Sequence, residues 1–192
     1  MRNALRFPSL ALLAAVLDPS AICAQDRTLQ VDPARTTVEF TLGAVLHKVH
    51  GTFHLASGRM SFDPATGRAA GELVVEAASG RTGNDSRDKK MHASVLESAR
   101  FPRIVFQPDR VEGAVAGQGV SKVQVHGWFE IHGERHEMLV PLEVHATAAE
   151  YEATATFSVP YVKWGMKNPS TFVLRVDDHV ELTVHTVARI GQ

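Results

Sequence analysis

Apolar and polar residues alternate along most of this chain. In the segment 36–42, the apolar residues Val38, Phe40 and Leu42 alternate with polar ones, which is the period of a β-strand with one buried face. Strands with one polar face suit an antiparallel sheet, because parallel strands are usually apolar on both faces. The pattern predicts about eight to ten antiparallel strands. The same alternation recurs at 48–55, 71–77, 104–106, 123–131, 138–144, 153–159 and 180–184.

A tight turn containing Gly133 joins two of these segments into a predicted hairpin. Whichever two-residue turn includes this glycine, antiparallel pairing places Met138 and Val140 on the same face as Phe129 and Ile131. Both strands therefore agree on which face is buried.

One stretch, residues 82–106, carries a helix signal in an otherwise strand-like chain. Asp85 or Ser86 suits the N-cap, and Pro102 closes the segment because proline cannot continue a helix. The spacing predicts a helix over 86–98. Its apolar stripe comprises Met91, Val95, Leu96 and Ala99.

These elements predict an all-β fold with one short helix, either an antiparallel barrel or a sandwich. We favour the barrel, because a single short helix can plug or flank it and closure removes the exposed sheet edges. A barrel of about eight strands either fills its interior with side chains or holds one small ligand.

The first 24 residues have the pattern of a secretory signal: Arg2 and Arg6, a short apolar run at 10–17, and a small-residue end at Ala24. The apolar run is too short for a transmembrane helix, which needs about 20 residues. The signal pattern predicts a cleavable segment over 1–24 and secretion to the periplasm. The alternative to cleavage after Ala24 is lipid attachment at Cys23.

The remaining residues, 25–192, are long enough for a single domain. Cys23 is the only cysteine, so a chain cleaved after residue 24 forms no disulfide. Cleavage changes the formal net charge from −1 to −2. Because no basic block is present, nucleic acid is not expected as a partner.

Three stretches, TGNDSRDKKMHASVLESARFPRIVF, HGWFEIHGERHEMLVPLEV and VDDHVELTVHTVA, resemble the YceI-like family of polyisoprenoid-binding proteins. The resemblance extends from about Leu29 to Val187. It implies a lipocalin-like antiparallel β-barrel of about eight strands. It also implies a periplasmic location, a lumen that takes an isoprenoid or another long amphipathic lipid, no established reaction, and homodimers. An Arg-x-Asp-Phe-Gly-like segment common in the family is replaced here by 161–165.

Alternation together with this resemblance predicts which side chains contact the lipid. Most lie on the inward faces of strands, and two lie on the apolar stripe of the helix. Trp164 belongs to a loop with Tyr161 and Phe172 that forms either a lid or a satellite core. The predicted lipid-binding residues are Val38, Phe40, Phe53, Leu73, Val75, Met91, Leu96, Phe106, Phe129, Val140, Phe157 and Trp164.

The predicted head-group site consists of Arg87, Asp88 and His92, together with His136, which the hairpin register turns inward near an end of the barrel. Asp88 and His92 are four residues apart, so both can lie on one helix face. In one interpretation Asp88 orients His92 toward a phosphate or hydroxyl group; in the other Asp88 caps the helix or pairs with Arg87, and His92 only packs.

Two alternative functions use the same residues differently. The first is an enzyme acting on a hydrophobic substrate with Arg87, Asp88 and His92, although no nucleophile is apparent nearby. The second is a secreted interaction protein with a filled core. Zinc is not predicted despite ten histidines, because no ligand spacing typical of a zinc site is present. Apart from a non-covalently bound lipid, no cofactor is expected.

Overall fold

The computed structural model describes residues 27–45, 47–172 and 175–191. The predicted signal at 1–24 lies outside the described residues. Ten strands form one antiparallel sheet. They are β1 (Arg27–Val31), β2 (Thr37–Gly43), β3 (Lys48–Phe53), β4 (Leu55–Phe62), β5 (Ala69–Glu76), β6 (Arg103–Glu112), β7 (Gly119–Ile131), β8 (Glu134–Ala146), β9 (Glu150–Val159) and β10 (Val180–Ile190).

The sheet closes into a barrel because β10 pairs with both N-terminal strands. Its last residues pair with β1 and its first residues pair with β2. A 3-10 turn, Pro33–Arg35, separates β1 from β2, so these two strands occupy one position in the ring. Strands β3 and β4 follow each other in the next position, since β3 pairs with β2 and β4 pairs with β1. The ring therefore has eight positions, and the predicted barrel is confirmed.

The β7–β8 hairpin sets the inward faces of its two strands. Its turn is His132-Gly133, with φ of 55° and 80°, as a two-residue type I′ turn requires. Phe129 lies opposite His136, and Val125 lies opposite Val140. The predicted common face of the two strands is therefore present.

The only α-helix among the described residues, α1 (Asp85–Lys90), is shorter than predicted. Its N-cap is Asn84, whose side chain accepts a hydrogen bond from the Arg87 N–H at 3.0 Å. The predicted caps, Asp85 and Ser86, instead lie in the first turn, where a carboxylate is favourable near the helix N-terminus. No described helix is long and apolar enough to cross a bilayer.

A single π-helical turn, Met91–Val95, follows α1 directly. The Leu96 N–H donates to the Met91 carbonyl oxygen at 2.9 Å, five residues back along the chain. Glu97 then has a φ of 46°, which ends the helical conformation. The predicted α-helix to residue 98 is thus wrong beyond Lys90, because hydrophobic spacing does not distinguish an α-turn from a wider π-turn.

Two groups of core residues occupy the two ends of the barrel. We call the end that carries α1 the helix end, and the other the far end. Leu96, Tyr161 and Met166 are buried in the larger cluster at the helix end. Val144 and Tyr151 are buried in a smaller cluster at the far end. Between these clusters the barrel encloses a cavity.

Candidate functional site

A cavity of about 720 Å³ runs through the barrel. Its volume lies within the range typical of small-molecule sites, about 300–1,000 Å³. Side chains from all ten strands line it, together with residues of α1 and of the following π-helical turn. Most of these side chains are apolar, because each strand directs every second residue inward.

Eleven of the twelve predicted lipid-contacting residues line this cavity. The exception is Trp164. Its indole stacks on the His136 ring, with the ring centroids 4.1 Å apart and the planes 1° from parallel. The sequence pattern thus located the lining, and the lipid-binding role of these residues remains a prediction. The eleven are Val38, Phe40, Phe53, Leu73, Val75, Met91, Leu96, Phe106, Phe129, Val140 and Phe157.

Several lining side chains are only half-buried although they point inward. Leu73, Val75, Phe106 and Phe157 belong to this group, because part of each side chain faces the cavity. A ligand that covers them removes apolar surface from water, which contributes about 25 cal/mol per Å². Three further side chains of this kind, which are not among the predicted contacts, are Leu42, Leu182 and Val184.

The cavity opens to solvent at the helix end. Among the described lining residues, only His47, Ser86 and Lys90 are exposed, and all three belong to α1 or to the connection between β2 and β3. At the far end, Val115 is half-buried and Tyr151 is buried. The opening of the cavity therefore lies at the helix end.

Arg87 is a cationic lining residue at this opening. Its Nε donates to the Thr82 hydroxyl at 2.7 Å, and its NH2 group donates to the Thr82 carbonyl oxygen at 2.9 Å. No described carboxylate forms an ion pair with it. Because a guanidinium has five N–H donors, Arg87 keeps donors for an anionic group.

Asp88 does not take the predicted head-group role. Its side chain is buried, and its Oδ1 accepts hydrogen bonds from the backbone N–H of Thr82 at 2.9 Å and from the Thr82 hydroxyl. These bonds fix the loop before α1. Asp88 therefore neither orients His92 nor pairs with Arg87, which corrects both predicted pairings.

His92 is also occupied by the protein itself. Its Nε2 lies 2.9 Å from the Gly80 carbonyl oxygen, and its Nδ1 lies 3.2 Å from the Ser98 hydroxyl. The ring does not line the cavity. Of the three clustered residues predicted to hold a head group, the structure places only Arg87 at the opening.

His136 faces inward, as its position opposite Phe129 requires, but it does not line the cavity. The Trp164 ring covers one face of the imidazole. Burial lowers the pKa of His136, and its Nε2 has no hydrogen-bond partner among the described residues. Its predicted contact with a ligand head group is therefore corrected to a packing contact with Trp164.

The aromatic residues of the loop after β9 differ in their surroundings. Tyr161 is buried in the main cluster, and its hydroxyl donates to the Asp177 carbonyl oxygen at 2.7 Å. Phe172, by contrast, is fully exposed. Burial, with Asp178 and Asp177 nearby, raises the pKa of Tyr161 to about 12.

This pKa predicts a loss of stability at alkaline pH. The unfolded state releases the tyrosine proton near pH 10 and the folded state only near pH 12, so the free energy of unfolding falls as pH rises between these values. We expect Tyr161→Phe to cost about 1 kcal/mol at neutral pH. Urea titrations should show this difference falling by about 2 kcal/mol between pH 10 and pH 12, so that Tyr161→Phe becomes the more stable protein. A difference independent of pH contradicts the assignment.

A compact group of three ionisable residues lies on the outside of the barrel. His126 lies between Asp109 and Glu137, with its ring nitrogens 2.6 Å and 2.7 Å from their carboxylate oxygens. These two carboxylates raise the pKa of His126. Within the described residues, no three His, Cys, Asp or Glu side chains converge as metal ligands.

Solved structures share this fold at low sequence identity. BcnA from Burkholderia cenocepacia is 19% identical, with a TM-score of 0.68 over 82% of this chain and 98% of that chain. A polyisoprenoid-binding domain from Saccharophagus degradans, implicated in plant cell wall breakdown, is 14% identical. Its TM-score is 0.65, and the match covers 85% of this chain and 98% of that chain. The YceI protein of Campylobacter jejuni is 17% identical, with a TM-score of 0.64, and the match covers 77% of this chain and 88% of that chain. At such identities the likeness shows the fold alone.

Sequence comparison identifies the family. No curated protein matches the chain significantly. The YceI-like domain, however, matches residues 29–188, a span that begins in β1 and ends in β10. Because the match includes every strand of the barrel, this protein belongs to the YceI-like family.

Proposed function

We propose that this protein binds and carries an isoprenoid or another long-chain amphipathic lipid in the barrel lumen, and that it does so in the periplasm. The observation that carries this proposal is an apolar cavity of about 720 Å³ that opens at one end beside cationic side chains. The signal predicted at 1–24 supports the location. A related fold described as polyisoprenoid-binding supports the ligand class.

Chain recognition in such a lumen depends on the hydrophobic effect. Each buried methylene contributes about 0.8 kcal/mol, and apolar walls need no specific hydrogen bonds to a hydrocarbon chain. Polar atoms are concentrated at the opening, where Thr82, Ser86, Arg87 and Lys90 line the cavity. An amphipathic lipid matches this division, with its chain inside and its head at the helix end.

Binding fits the geometry better than the two alternatives. The catalytic alternative needs Asp88 and His92 to converge, but Asp88 bonds to Thr82, and His92 bonds to Gly80 and Ser98. For an interaction protein with a filled core, a cavity of about 720 Å³ is too large, because packed interiors have few voids larger than a water molecule.

Native mass spectrometry of the protein purified from its own cells tests the proposal. We expect an added mass that organic extraction removes and that fragments as a long-chain lipid. The extracted protein should then bind a soluble prenol in fluorescence titrations. A protein that carries no lipid and does not bind the prenol contradicts the proposed function.

Arg87 should select the head group, since its guanidinium retains free N–H donors at the opening. We expect Arg87→Ala to weaken binding of a prenyl phosphate about tenfold and binding of the matching prenol less than about twofold, because charge-assisted hydrogen bonds are the stronger ones. Paired titrations of the two ligands measure the difference.

Two variants make this measurement specific. Lys89→Ala removes an exposed cation beside Arg87 that does not line the cavity, so it should leave the preference for phosphate over alcohol unchanged. His92→Ala should also leave that preference unchanged. If Arg87→Ala weakens the affinity for the prenyl phosphate and for the prenol equally, this arginine only supports the loop at Thr82.

A further inference from the structure

We propose that the rim around the cavity opening is a docking surface for an anionic lipid bilayer. The rim consists of three described regions at the helix end: 43–49 without residue 46, 82–95, and 160–178 without residues 173 and 174. Exposed apolar tips and unpaired cations on the rim carry this inference. Docking itself does not depend on the cargo, whereas its use for lipid exchange rests on the proposed function.

The three regions are held together by direct contacts. The Lys90 Nζ donates to the Pro169 carbonyl oxygen at 2.9 Å, which joins α1 to the loop after β9. The Val45 N–H donates to the Arg175 carbonyl oxygen at 3.2 Å, and Ala44 pairs with Val176. Residues of all three regions line the cavity, so the rim surrounds the opening.

The rim carries the two most exposed large apolar side chains in the described part of the protein. Phe172 has a relative exposure of 104% and Val45 of 70%. They lie on the two loops joined by the hydrogen bond between Val45 and Arg175. Apolar side chains that project beside a lipid-sized opening can enter the boundary between head groups and acyl chains.

Positive charge is concentrated on the same rim. Its three regions contain seven Lys and Arg against four Asp, a net charge of +3, whereas the whole chain has −1. Five of the six lysines in the sequence lie there. Among the described residues, none of these seven cations takes part in an ion pair. They are Lys48, Arg87, Lys89, Lys90, Lys163, Lys167 and Arg175.

The positive charge and the exposed apolar side chains of the rim favour a bilayer over a second copy of the chain as the partner. A symmetric dimer through the rim places two positively charged surfaces against each other, which is unfavourable. An anionic membrane surface instead attracts each nearby Lys or Arg by about 1 kcal/mol. Docking in this orientation places the lumen opening against the membrane, so a lipid chain passes between them without crossing water.

Flotation with vesicles tests the docking surface. Phosphatidylcholine vesicles with and without phosphatidylglycerol are mixed with the full mature protein, and the bound fraction is measured. We expect stronger binding to the anionic vesicles, reduced by added salt. Lys89→Gln with Lys167→Gln should lower the partition coefficient about tenfold or more. Phe172→Ser should lower it severalfold on both kinds of vesicle.

Matched changes away from the rim provide the control. Lys122→Gln with Arg59→Gln removes the same total charge from exposed positions outside the rim, and Val120→Ser removes an exposed apolar side chain from the far end. We expect both to bind vesicles within about twofold of the wild type. The docking proposal is overturned if vesicle binding falls equally in the rim and control variants, or if the protein shows no preference for anionic vesicles. It is also overturned if the rim forms a dimer and the protein does not bind vesicles.

Prenol titration in solution separates this proposal from the proposed function. Lys89 and Lys167 do not line the cavity, so their substitution should leave prenol affinity unchanged while vesicle binding falls. Vesicle binding by a protein that does not bind prenol overturns the lipid-carrier function and supports docking. Prenol binding without vesicle binding supports the carrier function and overturns docking.

Discussion

A carboxylate placed inside the lumen, as in Phe157→Asp, will lower the affinity for a prenyl-chain ligand about a hundredfold or more. Phe157 lines the cavity and is half-buried, so water can hydrate the new charge in the ligand-free protein. A bound chain removes that water and leaves the carboxylate against hydrocarbon, which costs several kcal/mol. Fluorescence titration of the lipid-free protein with a prenol measures the loss.

The neighbouring position on the same strand provides the control. Thr156 is exposed on the outer face of β9, so Thr156→Asp adds the same charge without placing it in the lumen. Its affinity should stay within about twofold of the wild type. Circular dichroism melting verifies that both variants are folded. Equal affinities in the two variants contradict the assignment of Phe157 to the ligand site.

The second large effect is on stability. We expect Gly127→Ala to lower the free energy of unfolding by about 2 kcal/mol or more. A Cβ at Gly127 lies 2.4 Å from the Gln107 carbonyl oxygen and 2.9 Å from the Pro108 Cα. Backbone atoms of β6 therefore have to move, close to the register shift between Pro108 and Arg110. Urea unfolding followed by tryptophan fluorescence measures the change.

A glycine outside the sheet shows what the same substitution does without a clash. A Cβ at Gly117 has no atom within 4 Å. Gly117→Ala should change the free energy of unfolding by less than about 1 kcal/mol, and any change should be stabilising, because alanine restricts the unfolded chain. If Gly127→Ala behaves in the same way, the close approach of β6 to β7 does not constrain the barrel.

The inward faces of the strands could be predicted because their periodicity is local. A side chain at every second position points to the same face, so Val38, Leu73 and Phe157 face one lumen although they belong to different hairpins. The β7–β8 register was likewise predictable from a turn containing Gly133. Neither prediction required knowledge of how distant strands meet.

The polar site could not be read from spacing in the same way. Asp88 and His92 have the separation of a helical pair, yet Asp88 bonds to Thr82 and His92 bonds to Gly80. These partners precede the helix, and their positions depend on the loop conformation. The Trp164 ring similarly stacks on His136, which is distant from it in the sequence. Such contacts compete with others of comparable energy, so local sequence does not select among them.

The closure of the ring has a consequence for how the chain folds. Within the described part of the chain, three residue pairs join β1 to β10, from Leu29 with Ile190 to Val31 with Ala188, and they connect opposite ends of that part. Contacts between such distant residues form late, because the entropy of loop closure has to be overcome first. Until β10 is available, β4 to β9 can form only an open, curved sheet with its apolar face uncovered. The chain is therefore most prone to aggregation before β10 has paired with its neighbours and closed the barrel.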